Sequence, residues 1–322
     1  MARLPNLFSK SSIQLGEQSC TGEGEDNTKL LGLPNIGNTC FMNSALQCLL
    51  GLPAFCRDIL RQQNIWSSSP SSKLLCCFAK LHQARLSGGT VNDKNKENKK
   101  ILQTVKRCLS VVNEDYEEDY EQLKEEGMAL KGSPEPYTCP VKQLEFKLKT
   151  SRTCTSCGVI VYGQEDYNHL SLSLSHDLPH SLDLYFKPSA LECACRVCSG
   201  STASVTRHFL TLPRVLMLHI KRFTAGNWEP EKVDDPMSIP AEITLPARHQ
   251  PDNIYRLSSV ISHLGDNMYT GHYISDVLDS RGSGWLCLDD AHVLRTDEAT
   301  VLKAIAQTAY ILFYVCRHCM YM

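Results

Sequence analysis

Two Cys-x-x-Cys pairs, Cys154/Cys157 and Cys195/Cys198, stand with 37 residues between them. Cysteines at this spacing on a tight turn aim both sulfurs at one point. Two such knuckles supply the four-thiolate tetrahedron that zinc accepts, at about 2.3 Å per sulfur. Gly158 follows the first knuckle and Ser199-Gly200 the second, where the chain must turn back. The intervening residues hold strand-like and helix-like stretches, so the knuckles are expected to meet at the tips of a sheet. The plain alternative is four unliganded thiols; the paired spacing favours a structural, non-catalytic zinc. Cys193 has no knuckle partner and stays outside the ligand set. Cys316-x-x-Cys319 has no second pair nearby and reads as an ordinary C-terminal tail.

A second constellation points to covalent chemistry. Cys40 sits where the turn-rich run Leu33-Pro-Asn-Ile-Gly-Asn-Thr39 gives way to a helix. Unpaired N–H groups and the helix dipole favour an anion there, which suits a nucleophilic thiol. Such a thiol needs a base and a group to orient the base. His272 opens a strand after a polar loop, and Asp289-Asp290 end the next strand. A hairpin joining the two strands brings Asp289 to the imidazole, fixing its tautomer while the other nitrogen takes the thiol proton. Asn35 can offer its amide to an oxyanion. Taken singly, a lone cysteine is a small core hydrophobe and paired acids at a strand end are solvated.

The elements that must hold these groups follow from periodicity. Met42, Ala45, Leu46, Leu49 and Leu50 recur at helical spacing. Asn38 or Thr39 is positioned to cap that helix, and Gly51 and Pro53 to stop it. A second helix is expected over 73–86, and a short amphipathic one carries Ile101, Leu102, Val105 and Leu109. From residue 139 the period becomes two, with strands expected around 144–148, 170–174, 215–220, 255–263, 273–278, 285–288 and 310–315. Helices first and strands later indicate an α+β fold. Residues 1–30 read as a flexible lead-in and 317–322 as a tail, around one composite domain over 31–316. Within it, 91–135 is a divergent charged segment and 139–223 carries the metal knuckles.

Composition narrows the classes. The 322 residues carry 33 Lys+Arg against 35 Asp+Glu, a formal charge of -2. That balance lacks the basic footprint of a nucleic-acid binder. No apolar run, including the one through Tyr310 to Cys316, approaches the roughly 20 residues a membrane span needs. No nucleic-acid or membrane partner is expected. Sixteen cysteines with paired knuckles fit the cytoplasm or nucleus better than a disulfide scaffold.

The stretch Leu31-Gly-Leu-Pro-Asn-Ile-Gly-Asn-Thr-Cys-Phe-Met-Asn-Ser-Ala-Leu-Gln-Cys-Leu49 resembles the cysteine box of the ubiquitin-specific proteases. Residues 255–265, Gly271-His-Tyr-Ile-Ser275 and Trp285 to Asp290 resemble their histidine box, and Leu212 to Phe223 the strand between. The wording is most similar to the branch whose larger members carry ubiquitin-interacting helices. The resemblance implies a papain-like fold with a helical thumb, a β-rich palm and zinc-ribbon fingers that grip ubiquitin. It implies hydrolysis of the bond after ubiquitin's C-terminal glycine, with ubiquitin and ubiquitinated proteins as partners. It further implies Cys40 as nucleophile, His272 as base, Asp289 as orienter, Asn35 at the oxyanion and Asp290 as a supporting acid. Gly271 would keep the channel for the ubiquitin tail open.

One family box, Gln-x-Asp-Ala-x-Glu-Phe, is not intact. Asp115 and Glu118 preserve only its acid spacing and are the candidate tail contacts. A weakened or inactive ubiquitin-binding module is therefore the alternative expectation. Lys96-Glu97-Asn98 also matches a short degradation signal, against the plain reading of an exposed charged loop.

Overall fold

The computed structural model describes residues 32–67, 72–86, 93–109, 139–224, 231–246, 254–265, 270–279 and 284–319. The helices come first: α1 (Cys40–Leu50), α2 (Pro53–Arg61), α3 (Gln63–Trp66) and α4 (Lys73–Leu86), then α5 over 93–109. Pro53 ends α1 as expected, but it also opens α2. The ring fixes φ at a helical value, and a first-turn N–H is not needed there.

Fourteen described strands follow. An eight-stranded sheet runs in the order β13-β12-β11-β10-β14-β6-β3, with β9 also paired to β10. Its members are β3 (Leu170–Ser173), β6 (Val215–Lys221), β9 (Glu242–Thr244), β10 (Ile254–Leu264), β11 (His272–Leu278), β12 (Trp285–Asp289), β13 (His292–Thr296) and β14 (Ala309–Cys316). All pairs are antiparallel except β3 with β6. A second sheet, in the order β2-β1-β5-β4, holds β1 (Phe146–Cys154), β2 (Ile160–Tyr167), β4 (Ser189–Glu192) and β5 (Thr202–Phe209). β7 (Phe223–Thr224) and β8 (Glu231–Lys232) form a small ribbon. Two further helices, α6 (Leu178–Phe186) and α7 (Glu298–Ala304), carry Asp177 and Asp297 as N-caps. Each cap carboxylate accepts a backbone N–H, from His180 and Thr300 respectively. The α+β expectation therefore holds.

The large sheet separates two cores. Leu46, Leu50, Phe55, Ile59, Phe78, Leu81 and Leu102 from the helices pack against Ile261, Val277, Leu286 and Leu288 on one face. Val260, Trp285, Leu312 and Tyr314 face the other way, onto Leu178 and Leu182 of α6 and Val301 of α7. The two-residue alternation of β10, β11 and β12 feeds both cores at once.

α5 is longer than the short amphipathic helix expected on Ile101, Leu102, Val105 and Leu109. The helix begins at 93 and takes in the lysine run, because Ile101, Leu102 and Val105 are buried and draw the preceding turns onto the helical layer. Asn98 is only 1 % exposed. Lys96-Glu97-Asn98 is thus a helical turn with its asparagine inside, not an exposed loop that a ligase could read as extended chain.

Candidate active site and metal centre

Cys40 is the first residue of α1, half-buried, and Thr39 is its N-cap. The expected side-chain cap is not made. The Thr39 hydroxyl instead accepts the Ile36 N–H at 3.0 Å and donates to Asn35 Oδ1 at 3.3 Å. It is spent closing the turn through Gly37 and Asn38, both at positive φ (104° and 50°). The first-turn N–H groups beside Cys40 are consequently left without a side-chain partner, as an incoming anion requires.

α1 lies across β11, and Gly51 at its end has no room for a Cβ against Val277. Phe41 meets the Tyr273 ring edge-on at 5.4 Å. Burial pushes the Tyr273 phenol up, as do Tyr310 and the nearby Cys40. The nucleophile candidate therefore sits beside the residue that follows His272.

His272 begins β11 and Asp289 ends β12, on adjacent antiparallel strands. His272 Nε2 lies 2.6 Å from Asp289 Oδ1. A carboxylate can only accept, so Nε2 carries the hydrogen and Nδ1 is the nitrogen able to accept a proton. The hairpin expected from sequence thus makes the contact expected of it.

Asp290, at φ 49°, brings a carboxylate oxygen within 4.8 Å of a His272 ring nitrogen and an Asp289 carboxylate oxygen, and is held from two sides. Asn35 Nδ2 donates to Oδ2 at 2.9 Å and Asn43 Nδ2 to Oδ1 at 2.7 Å. Asn43 also donates to the carbonyls of Leu33 and Pro34. Backbone pairing of Leu33 N–H with the Asp290 carbonyl at 2.8 Å lays the segment 32–35 beside 290–291. Gly32 there has no space for a Cβ against Asp290 and Ala291. The orientation of the Asn35 amide follows from its partners. Oδ1 accepts the Gly37 N–H at 2.9 Å, so Nδ2 faces Asp290 with one N–H to spare.

Asn43 was not singled out from sequence. Its only signal was position: i+3 from Cys40 on α1, where a buried amide interrupts an apolar face. Gly271 precedes His272 and is exposed, but a Cβ there would collide with His263 Nε2. Its need is therefore steric contact with a histidine as well as an open surface. Asp115 and Glu118 lie outside the described residues.

The four knuckle sulfurs converge as expected. Cys154 and Cys198 sulfurs are 3.6 Å apart, those of Cys157 and Cys195 are 3.8 Å apart, and all four lie within 4.8 Å of one another. A zinc tetrahedron with bonds of about 2.3 Å has edges of about 3.8 Å, so the set fits that ion. Backbone N–H groups of Cys157 and Ser156 draw the Cys154 thiol down to about 6, and those of Val197 and Cys198 lower Cys195. At Cys198 the Gly200 N–H is outweighed by the neighbouring sulfurs, which push that thiol up to about 12, so the shared proton rests there until an ion displaces it. Thiolate is the form a metal binds. Each knuckle closes through its fifth residue at positive φ: Gly158 (73°) and, against the glycine preference, Ser199 (58°). Gly200 serves a different need, since a Cβ there would press on Ser156 and approach the Cys154 sulfur to 3.3 Å. Cys193 is not in the sulfur cluster. Cys316 ends β14, and Cys319 packs at the edge of the second core in a short 3-10 turn.

A family model described as ubiquitin carboxyl-terminal hydrolase matches residues 31–314. The chain belongs to this family. It is 33 % identical over 262 residues to ubiquitin carboxyl-terminal hydrolase 37 of Gallus gallus, covering 67 % of this chain and 26 % of that protein. With the human hydrolase 29 it shares 30 % over 257 residues, covering 66 % and 27 %. The chain thus spans about a quarter of the length of these curated relatives. Among solved structures it resembles the SAGA DUB module Ubp8/Sgf11/Sus1/Sgf73 bound to monoubiquitin. The TM-score is 0.71 at 26 % identity, covering 89 % of this chain and 69 % of that one. The same module bound to ubiquitin aldehyde gives a TM-score of 0.70 at 26 % identity.

Proposed function

We propose that this chain is a cysteine-type ubiquitin-specific hydrolase, cleaving the bond after the C-terminal glycine of ubiquitin in ubiquitin–protein conjugates. The observation that carries the reading is the His272 Nε2–Asp289 contact at 2.6 Å, at the strand end beside the nucleophile helix. Family membership and the ubiquitin-bound state of the neighbouring structures support the substrate.

The geometry supports the following steps. Asp289 holds the imidazole with Nδ1 toward Cys40, and Nδ1 takes the thiol proton. The sulfur attacks the carbonyl of the last glycine. The oxyanion is met by the uncapped N–H groups of α1 and the spare Asn35 N–H, with Asp290 and Asn43 fixing that amide. Protonated His272 gives its proton to the leaving amine, and the thioester remains. Water, deprotonated by the same imidazole, then releases ubiquitin and the free thiol. The zinc-ready knuckles stand apart from these residues and would stiffen the β1-β2-β4-β5 sheet. Their need for reduced thiols supports a cytoplasmic or nuclear site, and the balanced charge supports a protein partner over nucleic acid or membrane.

The test is ubiquitin carrying a C-terminal thiol-reactive warhead. Wild type is expected to form a one-to-one adduct and Cys40→Ala none. A folded, zinc-loaded wild type that binds ubiquitin without forming the adduct would overturn the enzyme reading in favour of a binding module.

A further inference from the structure

Lys232 lies outside both the catalytic groups and the metal knuckles. It stands on β8 opposite Phe223, and its side chain is 4 % exposed. A buried ammonium needs all three of its hydrogens placed. Here they are. Lys232 Nζ donates to the carbonyl of Gly265 at 2.5 Å and to that of His263 at 3.3 Å, and it pairs with Asp234 at 3.1 Å.

The two carbonyls flank Leu264, and Leu264 is the cross-strand partner of His272. The surroundings leave this backbone little freedom. Gly265, at φ 141°, sits so near Gly271 that a Cβ on it would come within 2.8 Å of the Gly271 Cα. Gly271 in turn abuts the His263 ring. His263 is 2 % exposed and packs on Tyr273 at 4.7 Å. Burial and the Lys232 charge lower its pKa, so it stays neutral beside the ammonium. One amino group thus ties the ribbon to the end of β10, whose Leu264 pairs with the first residue of β11.

We infer that Lys232 is a positioning residue for the general base: its ammonium fixes the 263–265 backbone and thereby the place of His272 against Cys40 and Asp289. The inference rests on the hydrolase reading above. Displacing a reacting group by about 1 Å costs on the order of 100-fold in rate.

The experiment compares wild type, Lys232→Met and Asp234→Asn on a fluorogenic ubiquitin C-terminal amide. It adds the rate at which iodoacetamide alkylates the Cys40 peptide near pH 6, read by mass spectrometry. Lys232→Met is expected to lower kcat by about 10- to 100-fold with KM within about two-fold, and to slow Cys40 alkylation in step. Asp234, at 56 % exposed, is removable without opening the core, and its change is expected to give a few-fold loss of the same kind. A folded Lys232→Met protein with wild-type kcat and alkylation overturns the inference. If that variant does not fold, unchanged kcat and alkylation in Asp234→Asn do so. A wild type that is itself inactive defeats the hydrolase reading instead, so the two failures are distinct.

Discussion

The catalytic end and the metal end of this molecule are built on opposite plans. At the catalytic end the groups arrive from four separate parts of the chain. Cys40 and Asn43 come from α1, Asn35 from the turn before it, His272 from β11, and Asp289 and Asp290 from the end of β12. The contact between Asn35 and Asp290 spans 255 residues of sequence. At the metal end two five-residue turns do the work, on a sheet whose β2 and β4 are almost wholly exposed. A site assembled from distant elements is held by the core beneath it. A site made of local turns on a thin sheet has little core to draw on and depends on its ion.

Removing the metal should produce the largest difference between the two. A structural zinc contributes on the order of 10 kcal/mol to the fold that holds it. Chelation, or Cys157→Ser, is expected to strip amide protection from β1, β2, β4 and β5. Protection in β10–β12 and alkylation of Cys40 should remain. Hydrogen exchange with mass spectrometry reads both ends at once. Loss of protection in β11 and β12 to the same extent would mean the ends are one cooperative unit. Metal analysis of the intact protein should return one zinc per chain.

Next in size is Asn43→Ala. It removes donors to Asp290, Leu33 and Pro34 together and frees the segment carrying Asn35. A loss in kcat of about 100-fold is expected, comparable to losing an oxyanion donor. The zinc content should be unchanged, since α1 packs on β10, β11 and β12 and not on the sheet that carries the knuckles. A kcat within two-fold of wild type would show that Asp290 and Asn35 hold their places unaided.

The same contrast decides what the sequence could reveal. The knuckles were legible as a site because spacing brings the two sulfurs of each together, leaving only the pairing of β1 with β5 to bring knuckle to knuckle. Cys40, His272 and Asp289 were legible as residue types at element ends, and the hairpin from Tyr273 to Leu288 followed from alternation. Asn43 and Lys232 were not, because their partners are backbone carbonyls and side chains made adjacent only by tertiary pairing. β2 escaped notice because Ile160 to Tyr167 is exposed on both faces and shows no burial period. Conversely, Ile101, Leu102 and Val105 made the second half of α5 legible, while the lysine run hid the turns before them.

The smallest effect concerns Asp276, on the same face of β11 as His272 and paired across strands with Cys287. Burial pushes its carboxyl up to about 6 from an ordinary 3.8, although the Cys287 thiol, itself pushed up to about 12, donates to it. A raised native pKa means the folded state holds the proton longer than the unfolded chain. The stabilising contribution is therefore present below about pH 4 and is lost as pH rises to about 6. At neutral pH the buried charge costs about 2–3 kcal/mol at most. Asp276→Asn keeps an acceptor for Cys287 and removes the charge. It is expected to raise Tm by several degrees at pH 7.5 and to leave it unchanged at pH 4, because only the ionised form carries the penalty. The knuckles are far from this pair, so zinc content should be the same at pH 7.5. An equal shift in Tm at both pH values would assign the gain to packing and leave the catalytic strands without an intrinsic pH dependence.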